Sequence, residues 1–452
     1  MNPLMPAIEQ LITEYMADDP SSFQYLTRDE LASLQKKKLQ EHVHYAFKHS
    51  PFYRDLFEKY QIHPERIKGP QDLSLIPCTD KSDLIHHNEA FLAVPSQQIA
   101  DVCLTSATSG EVPALLLQTH SDLARLAYNE KGAFQMTGLN SSDSLMVCAA
   151  LDRAFMAGLA YFLGGLSLKT RVIRAGSGSA AQHWQMLKVT HPTAIVGVPS
   201  LMRKIAEYAL ECREDPRETS VKKLIAIGEP VRDKNLQHLP LTASLEELWS
   251  AQLYSTYAST ELATTYCECE QRQGGHIRPE LIVTEIVDQN NQPVADGEVG
   301  EVVVTPLGVE GMPLIRFKTG DISFMIHEPC SCGRNTPRLG PILGRKNQML
   351  KFKGTTLFPN SILSVLEGIP FFEGGYIQAL QYADGTDRIQ LHVAVKDARH
   401  DIARIEELLR AKIRVVPEIV INTKEEIEKV VDQPEKKRKR ITFIDSRPNP
   451  AG

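Results

Sequence analysis

Read for the spacing of hydrophobic and polar positions, the first hundred residues are mostly helical. Glu30 to His49 is an amphipathic run that stops at Ser50-Pro51, where proline cannot continue a helix. Lys81–Asn88 continues in a more polar helical style, and Ser121–Met136 is a further helix with Ser121 as its expected N-cap. The texture then changes. Short apolar runs at Leu145–Ala150, Arg171–Arg174 and Ala194–Val198 alternate with helical stretches such as Ala181–Thr190, a pattern of βαβ layering. Leu224–Gly228 reads as a buried strand ending in a glycine turn. Leu281–Asp288 and Val299–Thr305 form an antiparallel pair, with turn signals at Asn290-Asn291 and Gly297 between them. Farther on, Ile377–Tyr382, Ile389–Val395, a helix over His400–Ile413 and Glu418–Ile421 make a compact β-β-α-β unit. The pattern predicts an α/β (α+β multidomain) chain, with a large N-terminal domain over 1–344 and a small one over 345–452.

Composition narrows the class. With 452 residues the chain builds a substantial core, and a net charge of −6 argues against nucleic acid, whose phosphates require a basic face. The basic run Lys436-Lys437-Arg438-Lys439-Arg440 reads as a solvated tail. The most apolar region, Leu145–Leu168, carries Asp152-Arg153 and three glycines, so a buried helix with a glycine-rich loop is expected there and no membrane span. The first twenty residues have neither the basic start nor the apolar stretch of a signal peptide. Eight cysteines are too few for a disulfide scaffold, and four of them fall in two C-x-C pairs. That usage favours metal in a reducing compartment, so a cytoplasmic location is expected.

Three strings carry candidate chemistry. Thr105-Ser-Ala-Thr-Ser-Gly110 is a hydroxyl-rich loop whose small residues and amide groups suit phosphate oxygens, although surface turns share that composition. In Tyr257-Ala-Ser-Thr-Glu261 a tyrosine can stack on a purine, a hydroxyl can reach a phosphate and a carboxylate can hold Mg2+. The blander reading is a helix cap at Ser259 or Thr260 followed by a surface glutamate. The third string pairs Cys269 and His276 with Cys330 and Cys332, a set that suits tetrahedral structural zinc, with Cys267 a spare thiol or an alternative ligand.

Taken together, these strings resemble the adenylate-forming (ANL) superfamily, and within it the phenylacetate-CoA ligase-like family. The resemblance runs from His44-Tyr-Ala-Phe-Lys-His-Ser-Pro-Phe-Tyr53 to Phe443-Ile-Asp-Ser-Arg447. It includes Gly228-Glu229-Pro230, Ile315-Arg316 to Asp321, Gly344-Arg345, and Lys353-Gly354 to Phe358-Pro359. It implies a large adenylate-forming domain with a small β-barrel-like part, and a small mobile C-terminal lid. Residue by residue, it implies that Thr105, Ser106, Thr108, Ser109 and Gly110 grip the β- and γ-phosphates of ATP. Gly228, Glu229, Pro230, Tyr257 and Ala258 would line the adenine pocket, Thr260 would touch the α-phosphate and Glu261 would hold Mg2+. Asp321 would take the ribose hydroxyls and Arg345 would touch the nucleotide near the hinge. A tail lysine six residues before the aspartate of the terminal D-x-R motif would bridge the substrate carboxylate and the α-phosphate. Counting from Asp445 gives Lys439, with Lys437 the alternative.

The implied activity is ATP-dependent ligation of an aromatic carboxylic acid to coenzyme A through an acyl-adenylate, with no membrane partner; a homodimer is common among relatives. Loading a carrier protein, forming an amide, or binding nucleotide without adenylation are the competing readings. Phe155, Met156, Tyr161 and Phe162 would suit an aromatic acid, or simply pack the core. Several positions depart from the family pattern: Ala107 and Ala258 replace glycines, Glu111-Val112 stands for Lys-Pro, Asn347-Gln348 for an acidic pair, and Thr442 for an arginine.

Overall fold

The computed structural model describes residues 22–105, 113–352, 355–367, 369–382, 387–413, 415–431 and 441–447. They fall into two compact units. The larger takes Met1–Val231, Leu245–Thr319 and Ser323–Pro341; the smaller takes Arg232–Ser244, Gly320–Ile322 and Ile342–Gly452.

The larger unit opens with helices α1 (Arg28–His49) and α2 (Pro51–Lys59). Thr27 and Glu30 form a reciprocal capping box at the start of α1. Pro51 ends that helix and also begins the next, because its fixed φ suits the first helical position. The polar segment gives two short helices, α3 (Lys81–His86) and α4 (Asn88–Phe91). Strands β1 (Ile99–Leu104) and β2 (Leu115–Thr119) pair antiparallel and lead into α5 (His120–Met136). Its cap is Thr119, in a box with Asp122, so the expected cap at Ser121 is displaced by two residues.

From there the chain alternates β3 (Ser144–Val147), α6 (Met156–Ser167), β4 (Arg171–Arg174), α7 (Ala180–Thr190), β5 (Ala194–Gly197), α8 (Pro199–Glu211), β6 (Lys223–Ala226), α9 (Pro240–Trp249) and β7 (Gln252–Tyr257). Strands β4, β3, β5, β6 and β7 lie side by side in that order, all parallel. The continuous burial of β3 and β5 fits strands covered on both faces. The apolar run at 145–168 is this strand and helix; no helix among the described residues is long and apolar enough to cross a membrane. Its glycines permit close packing. A Cβ on Gly164 would sit 2.3 Å from that of Glu130, and one on Gly158 would sit 2.0 Å from the Ala150 carbonyl oxygen.

Beyond β7 the sheet continues through β8 (Tyr266–Glu268) and β9 (Gly275–His276). Strands β10 (Ile282–Val287), β11 (Gly300–Pro306) and β12 (Phe317–Ser323) build a second sheet, in which β10 and β11 pair antiparallel from Ile282↔Pro306 to Val287↔Glu301. Strands β13 (Met325–Ile326) and β14 (Arg338–Leu339) complete the first sheet beside β9. Where the resemblance implies a β-barrel-like part, these sheets are open: none closes on itself among the described residues.

In the smaller unit, β15 (Gly344–Arg345) pairs with the Asp321-Ile322 end of β12. A short antiparallel pair, β16 (Leu350–Phe352) and β17 (Thr355–Leu357), precedes α10 (Pro359–Leu363). Strands β18 (Phe372–Gln381) and β19 (Asp387–Val395), helix α11 (Ala398–Ile413), β20 (Glu418–Ile421), α12 (Lys424–Val431) and β21 (Phe443–Asp445) then make one four-stranded sheet in the order β20-β19-β18-β21. Ile377, Leu391, Ile405 and Leu409 are buried in its core.

Candidate functional site

Strands β6 and β7 end side by side, with Ala226 opposite Ser255 and the Thr256 hydroxyl donating to the Ala226 carbonyl at 2.9 Å. The carboxyl edge of a parallel sheet is where an open α/β fold leaves room for a ligand. Here it presents two of the predicted strings together. After β6, Gly228 adopts φ +69°, a left-handed turn that favours glycine, and the Glu229 N–H returns to the Ile227 carbonyl at 2.8 Å. Gly228 and Pro230 are exposed. After β7, the Tyr257 ring stacks on Tyr266, with centroids 5.7 Å apart, and Ala258 is exposed.

Thr260 and Glu261 follow in a turn, so the alternative of a helix cap at Ser259 or Thr260 does not occur. They line a cavity with Leu116, Gln118, Met156 and Met312. Glu261 thus places a carboxylate, a group that can serve a hard cation, in the lining of this cavity. Met156 therefore borders this cavity, whereas Tyr161 belongs to the buried core beside Phe134, and Phe162 lies under the Arg174 guanidinium.

A buried clamp holds the chain just after the Thr260-Glu261 turn. Arg125 on α5 donates to the carbonyls of Leu307 and Leu281, both at 2.7 Å, to the Thr264 hydroxyl at 3.0 Å, and to the Ala263 carbonyl. One turn on, Asn129 accepts the Thr265 N–H at 3.1 Å and the Thr265 hydroxyl donates to Glu130. Burial pushes the Glu130 carboxyl up to about 7, against the opposing pull of the Thr265 hydroxyl, Arg278 and Asn129. Asp122 accepts from the Glu310 and Gly311 N–H groups at 2.7 and 2.8 Å, fixing the segment that carries Met312. Neither Arg125 nor Asp122 stood out in the sequence; the available signal was charge on the apolar spacing of a helix.

Thr105 is buried, and its hydroxyl accepts the Ala114 N–H at 3.0 Å, closing the base of the loop between β1 and β2. Ser106, Ala107, Thr108, Ser109, Gly110 and Glu111 lie outside the described residues, as do Lys353-Gly354, Lys437 and Lys439. In the smaller unit Asp321 and Arg345 are register partners across β12 and β15, and their side chains form an ion pair at 3.2 Å.

The cysteine and histidine set converges. The ligand atoms of Cys269, His276, Cys330 and Cys332 all lie within 4.8 Å of one another. Cys269 Sγ is 3.7 Å from Cys330 Sγ, and Cys332 Sγ is 3.5 Å from His276 Nε2. Tetrahedral zinc, with Zn–S near 2.3 Å and Zn–N near 2.0 Å, places such pairs ~3.8 and ~3.5 Å apart. The donor set fits zinc. His276 Nδ1 meets the Thr336 hydroxyl at 2.8 Å, which orients the ring and leaves Nε2 facing the sulfurs. Burial, with Arg334 and Arg338 nearby, holds the imidazole down at about 3, in its neutral ligand form. Cys267 points instead into the core against Ala133 and Met136.

A model of the AMP-binding enzyme family matches residues 19–309. The chain belongs to that family. Within it, the chain falls in the phenylacetate-CoA ligase-like branch: it is 31% identical to the phenylacetate-coenzyme A ligase of Thermus thermophilus, over 82% of this chain and 83% of that one. The protein of the same description from Escherichia coli is 26% identical over 82% of this chain and 84% of its own length. Among solved structures, a 2-hydroxyisobutyryl-CoA ligase in the postadenylation state superimposes with a TM-score of 0.81, covering 94% of this chain and 91% of that chain at 23% identity. That likeness establishes the shared AMP-binding enzyme fold.

Proposed function

We propose that this AMP-forming acyl-CoA ligase acts on an aromatic carboxylic acid of the phenylacetate or benzoate kind. The observation that supports the reading most strongly is the meeting of Gly228–Pro230, Tyr257 and Thr260-Glu261 at the carboxyl ends of neighbouring parallel strands. Kinship to phenylacetate-CoA ligases over more than four-fifths of the chain supports the choice of acid.

In the first half-reaction a carboxylate oxygen of the acid attacks the α-phosphorus of ATP. The bond from that phosphorus to the bridging oxygen breaks, and pyrophosphate leaves. Tyr257, Gly228 and Pro230 form the adenine wall, Asp321 accepts from the ribose hydroxyls, and Arg345 borders the nucleotide. Thr105 to Gly110 cradles the outer phosphates and Thr260 donates to the α-phosphate. Glu261 would hold Mg2+, which when bound would neutralise charge on the phosphates. Lys439 offsets the negative charge that builds between carboxylate and α-phosphate. In the second half-reaction the sulfur of coenzyme A attacks the acyl carbon. The C–O bond to AMP breaks, and the thiol proton passes to solvent. The small domain turns between the two steps as a lid. Cys269, His276, Cys330 and Cys332 would hold a structural zinc that ties two loops together, apart from either step.

Mass analysis of products tests the reading. Phenylacetate or benzoate, ATP and coenzyme A are expected to give the acyl-CoA and AMP. Acylation of a carrier-protein thiol or an amine in place of coenzyme A would assign a different acceptor.

A further inference from the structure

We infer that Glu229 is a positioning residue: its carboxylate is an internal cap on helix α8, and it fixes the loop whose neighbours Gly228 and Pro230 face the nucleotide. This goes beyond, and rests on, the reading of that loop as the adenine wall.

Both oxygens of Glu229 are committed. Oε2 accepts the Ser200 N–H at 2.8 Å and Oε1 accepts the Ser200 hydroxyl at 2.6 Å. Ser200 stands in the first turn of α8, a 13-residue helix that otherwise has no side-chain cap. Its N-cap position is Val198, whose side chain cannot accept a hydrogen bond, and Pro199 at the next position has no N–H. The Ser200 N–H is thus the first donor at the positive end of the helix, and a carboxylate is the favoured partner there.

The backbone explains how Glu229 arrives. Strands β5 and β6 are parallel neighbours with Gly197 opposite Ala226, and the Ile227 N–H donates to the Gly197 carbonyl at 3.0 Å. The chain leaving β6 therefore runs beside the start of α8. The left-handed Gly228 then folds it back, directing the glutamate side chain onto the helix and leaving Gly228 and Pro230 exposed. A phosphate at this helix end would have to displace Glu229 and meet its charge. The end is already filled by the protein's own anion, so Glu229 acts on ATP through the loop it holds.

The test compares Ser200→Ala, Glu229→Gln and the double variant in the full chain, reading ATP affinity by titration calorimetry and melting temperature in parallel. Positioning predicts that each single change weakens ATP by a similar factor, roughly three- to tenfold. The double variant should be no weaker than the worse single, and Ser200→Thr should recover affinity relative to Ser200→Ala. Direct contact predicts a loss for Glu229→Gln with none for Ser200→Ala, or losses that multiply; either overturns the inference. If Glu229→Gln does not fold, Glu229→Asp, too short to span to Ser200, replaces it with the same expectation. Wild-type protein that binds no ATP would defeat the ligase reading itself, and the inference with it.

Discussion

Asp321 and Arg345 face each other in register across β12 and β15, and Arg345 Nε lies 3.2 Å from Asp321 Oδ1. The carboxylate side chain is 9% exposed and the guanidinium 34%, so the pair sits at a surface the acid does not leave. Under the proposed ribose role, this ion pair aims the Asp321 carboxylate as an acceptor for two hydroxyls before any ligand arrives. Asp321→Ala is expected to weaken ATP by about ten- to a hundredfold, the worth of hydrogen bonds to a charged group. Arg345→Ala should cost less. Calorimetric titration checks both, and unchanged affinity in Asp321→Ala would remove its ribose role.

The cluster of Cys269, His276, Cys330 and Cys332 makes a separate prediction. Purified protein should carry about one zinc per chain. Cys330→Ser and Cys269→Ser should lose it and melt at least about 5 °C lower, because a cross-link between the loop after β8 and the loop after β13 is gone. Cys267→Ser should retain the metal, since Cys267 packs in the core. Elemental analysis decides; zinc-free protein with unaltered stability would dismiss the site.

Glu130 predicts a pH dependence of stability. Its folded value of about 7 lies above the ordinary 4.5 because burial disfavours the charge. Below pH 4.5 both folded and unfolded chains hold the proton, and the group contributes nothing. As pH rises toward 7 the unfolded chain releases it first, so this group subtracts stability, reaching about 3 kcal/mol above pH 7. Glu130→Gln keeps an acceptor for the Thr265 hydroxyl and carries no charge. The variant should gain on the wild type between pH 5 and 8, by denaturant titration. A constant difference across that range would contradict the assignment.

Much of this was legible in the sequence wherever local chemistry decided the outcome. The alternation at 281–288 and 299–305 marked an antiparallel pair, and the C-x-C spacing marked a cysteine and histidine set whose ligand atoms converge within 4.8 Å. What stayed hidden depended on neighbours distant in sequence. The order β4-β3-β5-β6-β7 is written in no local pattern, so nothing pointed to Ser200 as the partner of Glu229. Ser121 looked like a cap, yet Thr119 with Asp122 satisfies two donors at once and wins. Spacing placed Cys269 in the set but left Cys267 as an alternative ligand. Strand β8 holds Cys267 against the core, and the chain turns after Glu268 to deliver Cys269 to His276.

The tail lysine can be tested by separating the half-reactions. Asp445 and Arg447 are tied together, and Arg447 also reaches Asp387 at 3.2 Å, which anchors the D-x-R motif from which Lys439 is counted. Lys439→Ala should abolish adenylation by at least about a thousandfold, the scale of removing charge stabilisation from a transition state. It should still convert a supplied acyl-adenylate and coenzyme A to thioester. Lys437→Ala with the larger adenylation defect would transfer the role to Lys437.

The most direct measurement is acid-dependent exchange of pyrophosphate into ATP, run across aromatic and aliphatic acids with wild type and Glu261→Ala. Exchange is expected with an aromatic acid such as phenylacetate, and it should fall by at least about a hundredfold in the variant if Glu261 holds Mg2+. No exchange with any acid, or exchange indifferent to Glu261, would contradict this expectation.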